Sequence, residues 1–145
     1  MRKRGGLDQA LGRSRGGLGT KIHMAVDAWG RPLRFILTGG QAGDAPQAIP
    51  LLTGIRTGHV IADRGYDSDR ILRFVHRQGA IAVIPPTSNR TLQREYDREL
   101  YKLRNLVERA FNRLKQWRRI ATRYDRRSVY YLATLHLAAA ITWST

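Results

Sequence analysis

The chain has 145 residues, enough for one domain with a substantial core, and its 26 Lys and Arg against 11 Asp and Glu give a net charge of +15. The absence of cysteine excludes a disulfide framework and a thiolate metal site. A basic start with no apolar stretch after it argues against a secretory signal, and the apolar run 130–143 is too short for a membrane span. We therefore expect a cytoplasmic protein without a membrane partner.

The basic residues are concentrated in two segments. Residues 98–127 contain eleven basic side chains and three acids, and residues 1–34 contain eight and two. A pI of about 11.4 and basic stripes of this kind favour a polyanionic partner such as DNA or RNA. The alternatives at this point are an RNA-coating protein of the ribosomal type and a genome that favours arginine codons.

The N-terminal half of the chain predicts a lead-in followed by a hairpin. Residues 1–18 are rich in Gly and Arg without apolar periodicity, which predicts a flexible basic segment ahead of a domain at 19–145. Alternating apolar residues predict a strand at 20–28. A turn containing Gly30 and Pro32 separates it from a second predicted strand at 33–38. A short helix is expected at 46–54, with Asp44 as its N-cap.

The next segment has the pattern of a parallel βαβ unit. The apolar run 59–62 predicts a strand that ends at Asp63, 68–78 predicts an amphipathic helix, and 80–84 predicts a second strand. Asp67 and Asp69 are expected to cap that helix. A long helix at about 97–119 and a closing helix at 128–143 complete the predicted elements.

Two groups of residues suggest chemistry. Asp63 is a carboxylate at the C-terminal end of a predicted buried strand, the edge where α/β sheets bind ligands. On the long helix, Tyr101, Arg104, Glu108 and Lys115 fall on one stripe at about 100° per residue. The opposite stripe is apolar and is expected to pack on the sheet; it consists of Leu103, Val107, Ala110, Leu114 and Trp117. A strand-end acid and a helix acid can share divalent metal ions, as in enzymes of phosphoryl transfer.

The stripe Tyr-x2-Arg-x3-Glu-x6-Lys resembles the signature around the third acidic residue of bacterial insertion-sequence DDE transposases, the IS-five-like group above all. Asp63 stands where that family carries its second catalytic aspartate. Further segments resemble the family in family order: GGLGTKIH at 16–23, GQAGD at 40–44, ADRGYDS at 62–68 and IPPTSNR at 84–90. The likeness covers nearly the whole chain from about Asp8 onward.

The resemblance implies an α/β fold, a ribonuclease-H-like mixed sheet flanked by helices, with 19–145 as a partial catalytic domain. It implies that Asp63 and Glu108 are catalytic metal ligands for Mg²⁺ (or Mn²⁺). It also implies DNA as the partner, namely insertion-sequence ends and target DNA, and metal-dependent strand cleavage and transfer. The residues expected to contact phosphate or DNA are Tyr101, Arg104, Lys115, Arg64 and His23.

The match departs from the family at one point, because the family's first catalytic aspartate lies on a strand before the segment 16–23. We therefore expect the first strand to be missing and the isolated chain to be inactive. Self-association, or pairing with the product of an upstream reading frame, is also expected. Asp27 is the only hairpin acid that could substitute. The alternative is a non-catalytic DNA-binding fragment or regulator of an intact transposase.

Each candidate also has an ordinary structural interpretation, which stays open at this point. Asp63 could cap a turn, Glu108 could pair with Arg104 on the helix surface, His23 could simply be packed, and Asp27 could be a turn residue.

Overall fold

The computed structural model describes residues 12–14, 17–116, 132, 135–136 and 138–140. Its strands form two small sheets. The antiparallel sheet has the order β1-β2-β3, with strands Gly12–Ser14, Gly17–Val26 and Pro32–Gly39. The parallel sheet pairs β4 (His59–Ile61) with β5 (Ile81–Val83). The fold is thus mixed α/β, but the expected single sheet is divided into two.

The predicted hairpin is confirmed. Met24 of β2 lies opposite Phe35 of β3, and the register shifts at Ala25/Val26 next to the turn. Gly30 supplies the positive φ of 77° in this turn, a backbone conformation that side chains with a Cβ disfavour. Residues 1–18 were expected to be a flexible lead-in, but residues 12–14 and 17–18 lie in β1 and β2. Strand pairing through the backbone does not require apolar side chains, so the sequence pattern did not indicate it.

Helices connect and cover the strands. In chain order they are α1 (Ala48–Leu52), α2 (Asp69–Arg77), α3 (Arg98–Tyr101) and α4 (Asn105–Lys115), with short 3₁₀ turns at Ala45–Gln47, Arg64–Tyr66 and Lys102–Arg104. The βαβ unit β4-α2-β5 is confirmed. The described residues of the predicted closing helix (132, 135–136 and 138–140) are helical, and the rest of 128–143 lies outside the described residues.

The prediction of one continuous helix at 97–119 is wrong within the described residues, because the 3₁₀ turn at Lys102–Arg104 separates α3 from α4. A 3₁₀ turn has three residues per turn instead of 3.6, so the side chains before it are rotated relative to those after it. Ala110 and Leu114 are buried as expected, whereas Leu103 is 43% exposed and does not belong to the buried face. Trp117 lies outside the described residues.

Two clusters of buried side chains make the core. The first joins the hairpin to α4 and the closing segment: Met24, Phe35, Ala110, Leu114, Leu135, Ala138 and Ala139. The second lies under the βαβ unit: Ala48, Ile71, Val75, Ala80 and Ile84. Arg113 of α4 donates a 2.7 Å hydrogen bond to the carbonyl of Gly30, which fixes α4 against the hairpin turn.

A groove of about 790 Å³ is lined by residues 21–26 of β2 and 59–61 of β4. Within the described part of the chain, β4 has a strand partner on the β5 side alone, and residues 21–26 of β2 have one on the β3 side alone. Both strands therefore have an unpaired edge at the groove. No helix among the described residues is long and apolar enough to cross a membrane.

Candidate active site

Asp63 lies two residues after the end of β4, where the chain turns into the 3₁₀ segment Arg64–Tyr66. One carboxylate oxygen, Oδ1, accepts a 2.9 Å hydrogen bond from the backbone N–H of Gly65. A Cβ at position 65 would lie 3.0 Å from this oxygen, so Gly65 allows the close approach. Asp63 thus caps the turn, as its ordinary interpretation requires. Its side chain is nevertheless half exposed, with Oδ2 turned towards Arg104.

Arg104 brings the two predicted acids together. Its Nη2 donates a 2.6 Å hydrogen bond to Oε1 of Glu108 one turn later on α4, and its Nη1 lies 4.0 Å from Oδ2 of Asp63. One guanidinium therefore contacts a strand-end acid and a helix acid 45 positions apart in the chain (108 − 63). The ordinary interpretation of Glu108, a pair with Arg104, describes the same contact.

A cleft of about 310 Å³ opens beside Asp63 and Arg104. Asp63, Arg64, Tyr101 and Arg104 all line it, and Tyr96 packs edge-on against Tyr101 with ring centroids 5.7 Å apart. The structure thus gathers four of the predicted site residues around one opening, with a cationic and aromatic wall suited to a phosphate-bearing ligand.

Lys115 lies apart from this group. It is the last residue of α4, seven positions after Glu108, which corresponds to about 10 Å along a helix. Its side chain is exposed. The predicted stripe therefore places Tyr101 and Arg104 at the cleft, Glu108 at the groove beside β2 and β4, and Lys115 on the neighbouring helix surface.

His23 is buried in the groove between the sheets, with 3% of its surface exposed. Nε2 lies 2.6 Å from the Thr38 hydroxyl, and Nδ1 lies 3.3 Å from Oδ1 of Asp44. Burial lowers the pKa of His23, although the nearby Asp44 carboxylate opposes this shift. Both ring nitrogens have protein partners, so the packed interpretation describes His23 better than a DNA contact.

Two residues near the site were not identified from the sequence. Asp44, expected as an N-cap, makes no side-chain cap bond and instead contacts His23 and Lys21, the latter at 3.6 Å. Tyr66 lies near Asp44 and Asp63, and burial together with these two carboxylates raises the pKa of Tyr66 to about 12. The position of Asp44 at the end of the GQAGD segment was the one available signal.

Asp27 is held in the hairpin turn. Oδ1 accepts hydrogen bonds from the backbone N–H groups of Trp29 and Arg31, both at 2.9 Å, and Oδ2 accepts a 2.8 Å bond from Nε of Arg31. These bonds lower the pKa of Asp27 against the opposing effect of burial. Both oxygens are engaged within the turn, which favours the turn interpretation over a surrogate ligand.

The prediction that Asp67 caps α2 is wrong. Ser68 caps that helix by accepting from the N–H of Ile71, whereas the fully buried Asp67 side chain is bound by Arg90 at 2.7 Å and Arg94 at 3.1 Å. Asp67 also accepts a 2.7 Å hydrogen bond from the N–H of Thr87. Asp69 is in the first turn of α2 as expected, and it also pairs with Arg90. The buried carboxylate thus fixes the loop after β5 next to the turn that carries Asp63.

Similarity to known proteins identifies the class. Residues 8–143 match the family described as the transposase DDE domain, so the chain belongs to that family. Domains of this family bind DNA, use divalent metal ions and act in DNA transposition.

Particular relatives are insertion-sequence transposases. A putative transposase for insertion sequence element IS6501 from Brucella ovis is 43% identical over 126 residues, which are 86% of this chain and 97% of the relative. A putative transposase for insertion sequence element IS402 from Burkholderia cepacia is 38% identical over 140 residues, which are 88% of this chain and 64% of the relative. The chain thus spans under two thirds of the second relative. No solved structure shows significant similarity.

The donor set fits a weakly held Mg²⁺ or Mn²⁺. Asp63 and Glu108 offer carboxylate oxygens, both half exposed to water, and Mg²⁺ is commonly bound through one or two carboxylates with water and phosphate completing its shell. Among the described residues, no group of three His, Cys, Asp or Glu side chains gathers in one place. The site is thus suited to a cation that the nucleic-acid phosphate helps to hold.

Proposed function

We propose that this chain is the part of an insertion-sequence DDE transposase that carries the second and third acidic residues of the site that cleaves and joins DNA. The observation that carries the proposal is the convergence of Asp63 and Glu108 on the guanidinium of Arg104, beside an open cleft. Its place of action would be the bacterial cytoplasm, at the nucleoid, where insertion-sequence ends and target DNA are found.

In this proposal Asp63 and Glu108 would hold Mg²⁺ or Mn²⁺, and the bound ion would supply Lewis-acid activation of a water or 3′-hydroxyl nucleophile and charge stabilisation of the leaving oxygen. The protein side chains position the DNA. Arg104 is suited to bidentate contact with a phosphate, and Arg64 and Tyr101 on the cleft wall hold the neighbouring backbone. Lys115 on α4 contacts phosphates farther along the strand.

The first acid of the site comes, we infer, from a strand outside the described residues, in the same polypeptide or in another such as the product of an upstream reading frame. The groove beside β2 and β4 suits this strand, because within the described residues both strands have an unpaired edge there and Asp63 lies among the residues that line the groove. The Burkholderia relative, of which this chain covers 64%, has additional sequence that could include such a strand.

The test is strand cleavage of insertion-sequence-end DNA in Mn²⁺. We expect no measurable cleavage by the chain alone, because a pair of carboxylates aligns metal, nucleophile and leaving group poorly. Mixing or fusing the chain with the polypeptide encoded upstream of its gene should restore cleavage. In the restored reaction, Asp63→Asn should abolish activity, and Asp27→Asn should preserve it.

Three results would contradict parts of this proposal. Cleavage by the chain alone would refute the need for a further acid, and loss of cleavage in Asp27→Asn would make Asp27 the surrogate first ligand. DNA binding without cleavage, even with the upstream polypeptide, would favour the alternative of a non-catalytic regulator of an intact transposase.

A further inference from the structure

We propose that Arg104 couples DNA binding to metal binding at this site. In the absence of DNA its guanidinium pairs with the Glu108 carboxylate and lies 4.0 Å from the Asp63 carboxylate, so that one positive charge partly neutralises both acids. When a DNA phosphate enters the cleft, Arg104 transfers to the phosphate, and the carboxylate pair becomes open to a divalent cation. The inference rests on the proposed function, since it takes these two acids as the metal ligands.

The geometry supports a competition between the guanidinium and the cation. A single group with one positive charge lies 2.6 Å from an oxygen of Glu108 and 4.0 Å from an oxygen of Asp63. A dication bound to the same two carboxylates would face this charge at a few ångströms, where like charges repel strongly. Arg104 must therefore leave the pair, at least in part, before a metal can bind tightly.

The contacts of Arg104 also make its transfer feasible. Its side chain is about one third exposed and lines the open cleft, and its contact with Asp63 is long. A phosphate offers a guanidinium two parallel charge-assisted hydrogen bonds, a better arrangement than one short bond and one distant oxygen. A DNA phosphate in the cleft can thus replace the carboxylates as the partner of Arg104.

Other basic side chains of the region have different partners. Lys102 pairs with Glu99, Arg113 donates to the carbonyl of Gly30, Lys21 contacts Asp44, and Arg90 and Arg94 bind Asp67. Among the described residues, Arg104 is the basic side chain found in ion pairs with both Asp63 and Glu108. The coupling is therefore assigned to this residue rather than to the general positive charge of the surface.

The test measures Mn²⁺ affinity of the full chain by electron paramagnetic resonance, with and without a saturating short DNA duplex, after correction for Mn²⁺ bound to the duplex alone. For the unaltered chain we expect DNA to raise Mn²⁺ affinity about tenfold, within the usual range of coupling between two sites. Arg104→Gln should bind Mn²⁺ more tightly without DNA and should respond to DNA by less than about twofold. The matched control is Arg73→Gln, which removes the same charge from an exposed position on α2, outside the DNA-binding segment, and should keep the full response.

A full DNA response in Arg104→Gln, or weaker Mn²⁺ binding by this variant without DNA, would overturn the coupling. Asp63→Asn separates this outcome from a failure of the proposed function. If Mn²⁺ binding in the presence of DNA is lost in Asp63→Asn, the metal site stands and the Arg104 variant alone decides the coupling. If Asp63→Asn binds Mn²⁺ as the unaltered chain does, Asp63 is not a metal ligand, and the proposed coupling through Arg104 is wrong as well.

Discussion

Raising the salt concentration from about 50 to 200 mM is expected to weaken DNA binding by about a thousandfold, because this is the loss typical of proteins that make about six phosphate contacts. Each contact releases condensed counterions from the duplex, and added salt opposes that release. Seven basic side chains at the cleft and along the α3–α4 segment are at least partly exposed, and Arg113 is bound to the Gly30 carbonyl. The other six are Arg64, Arg98, Lys102, Arg104, Arg109 and Lys115. With a net charge of +15, binding to duplexes of unrelated sequence should show nearly the same dependence.

Fluorescence anisotropy with a labelled duplex at several salt concentrations measures the slope of the logarithm of the binding constant against the logarithm of the salt concentration. Lys115→Gln should reduce the slope by about one unit, because it removes one phosphate contact. Arg73→Gln removes an exposed charge from α2, outside the basic segment, and should leave the slope unchanged. An affinity that is the same at 50 and 200 mM salt, or equal effects of the two substitutions, would show that α4 does not follow the DNA backbone.

Asp67→Asn is expected to lower the free energy of unfolding by about 3 kcal/mol, the low end for removing one partner of a buried ion pair. The Asp67 side chain is fully buried, and the substitution removes the negative charge that pairs with Arg90 and Arg94. Arg90 and Arg94 keep roughly a quarter of their side-chain surface in water, which limits the penalty. The measurement is urea unfolding of both proteins followed by circular dichroism.

Asp69→Asn is the matched control, because Asp69 pairs with the same Arg90 but its side chain is 69% exposed. Its effect should stay below about 1 kcal/mol, as for surface ion pairs. The contacts with Arg90, Arg94 and the N–H of Thr87 hold the pKa of Asp67 below its usual 3.8. The Asp67 carboxylate therefore stabilises the fold at neutral pH. This stabilisation is lost as the pH falls below 3.8 towards the folded pKa of Asp67, where Asp67→Asn and Asp69→Asn should have similar free energies of unfolding. If Asp67→Asn and Asp69→Asn lowered the free energy of unfolding equally at neutral pH, the proposed role of the buried Asp67 ion pairs would be contradicted.

The local pattern predicted those parts of the fold that depend on neighbouring residues. The alternation at Ile22, Met24 and Val26 predicted the strand that pairs in the hairpin, and Ser68 and Gly79 mark the ends of the helix in the βαβ unit. The position of Asp63 after a strand was also predictable, because an apolar run followed by Asp-Arg-Gly is typical of a strand that ends in a turn.

Contacts between distant segments were not predictable in the same way. Asp67 has the local features of a helix cap, and only the position of the loop after β5 makes it the partner of Arg90 and Arg94. Asp44 likewise has a capping position in the sequence, but the fold brings it to His23 and Lys21. The 3₁₀ turn at Lys102–Arg104 has no evident signal in the residues that form it, and it rotates Leu103 towards solvent.

In the proposed function, Asp63 and Glu108 bind the same divalent metal. Replacing Mg²⁺ by Fe²⁺ in the presence of bound DNA, ascorbate and peroxide tests this claim directly, because hydroxyl radicals formed at the iron cut the polypeptide close to its ligands. We expect two cuts, one near residue 63 and one near residue 108, both lost in Asp63→Asn and in Glu108→Gln and both kept in Glu99→Gln. Cutting near one acid but not the other, or cuts that persist in both variants, would contradict the shared site.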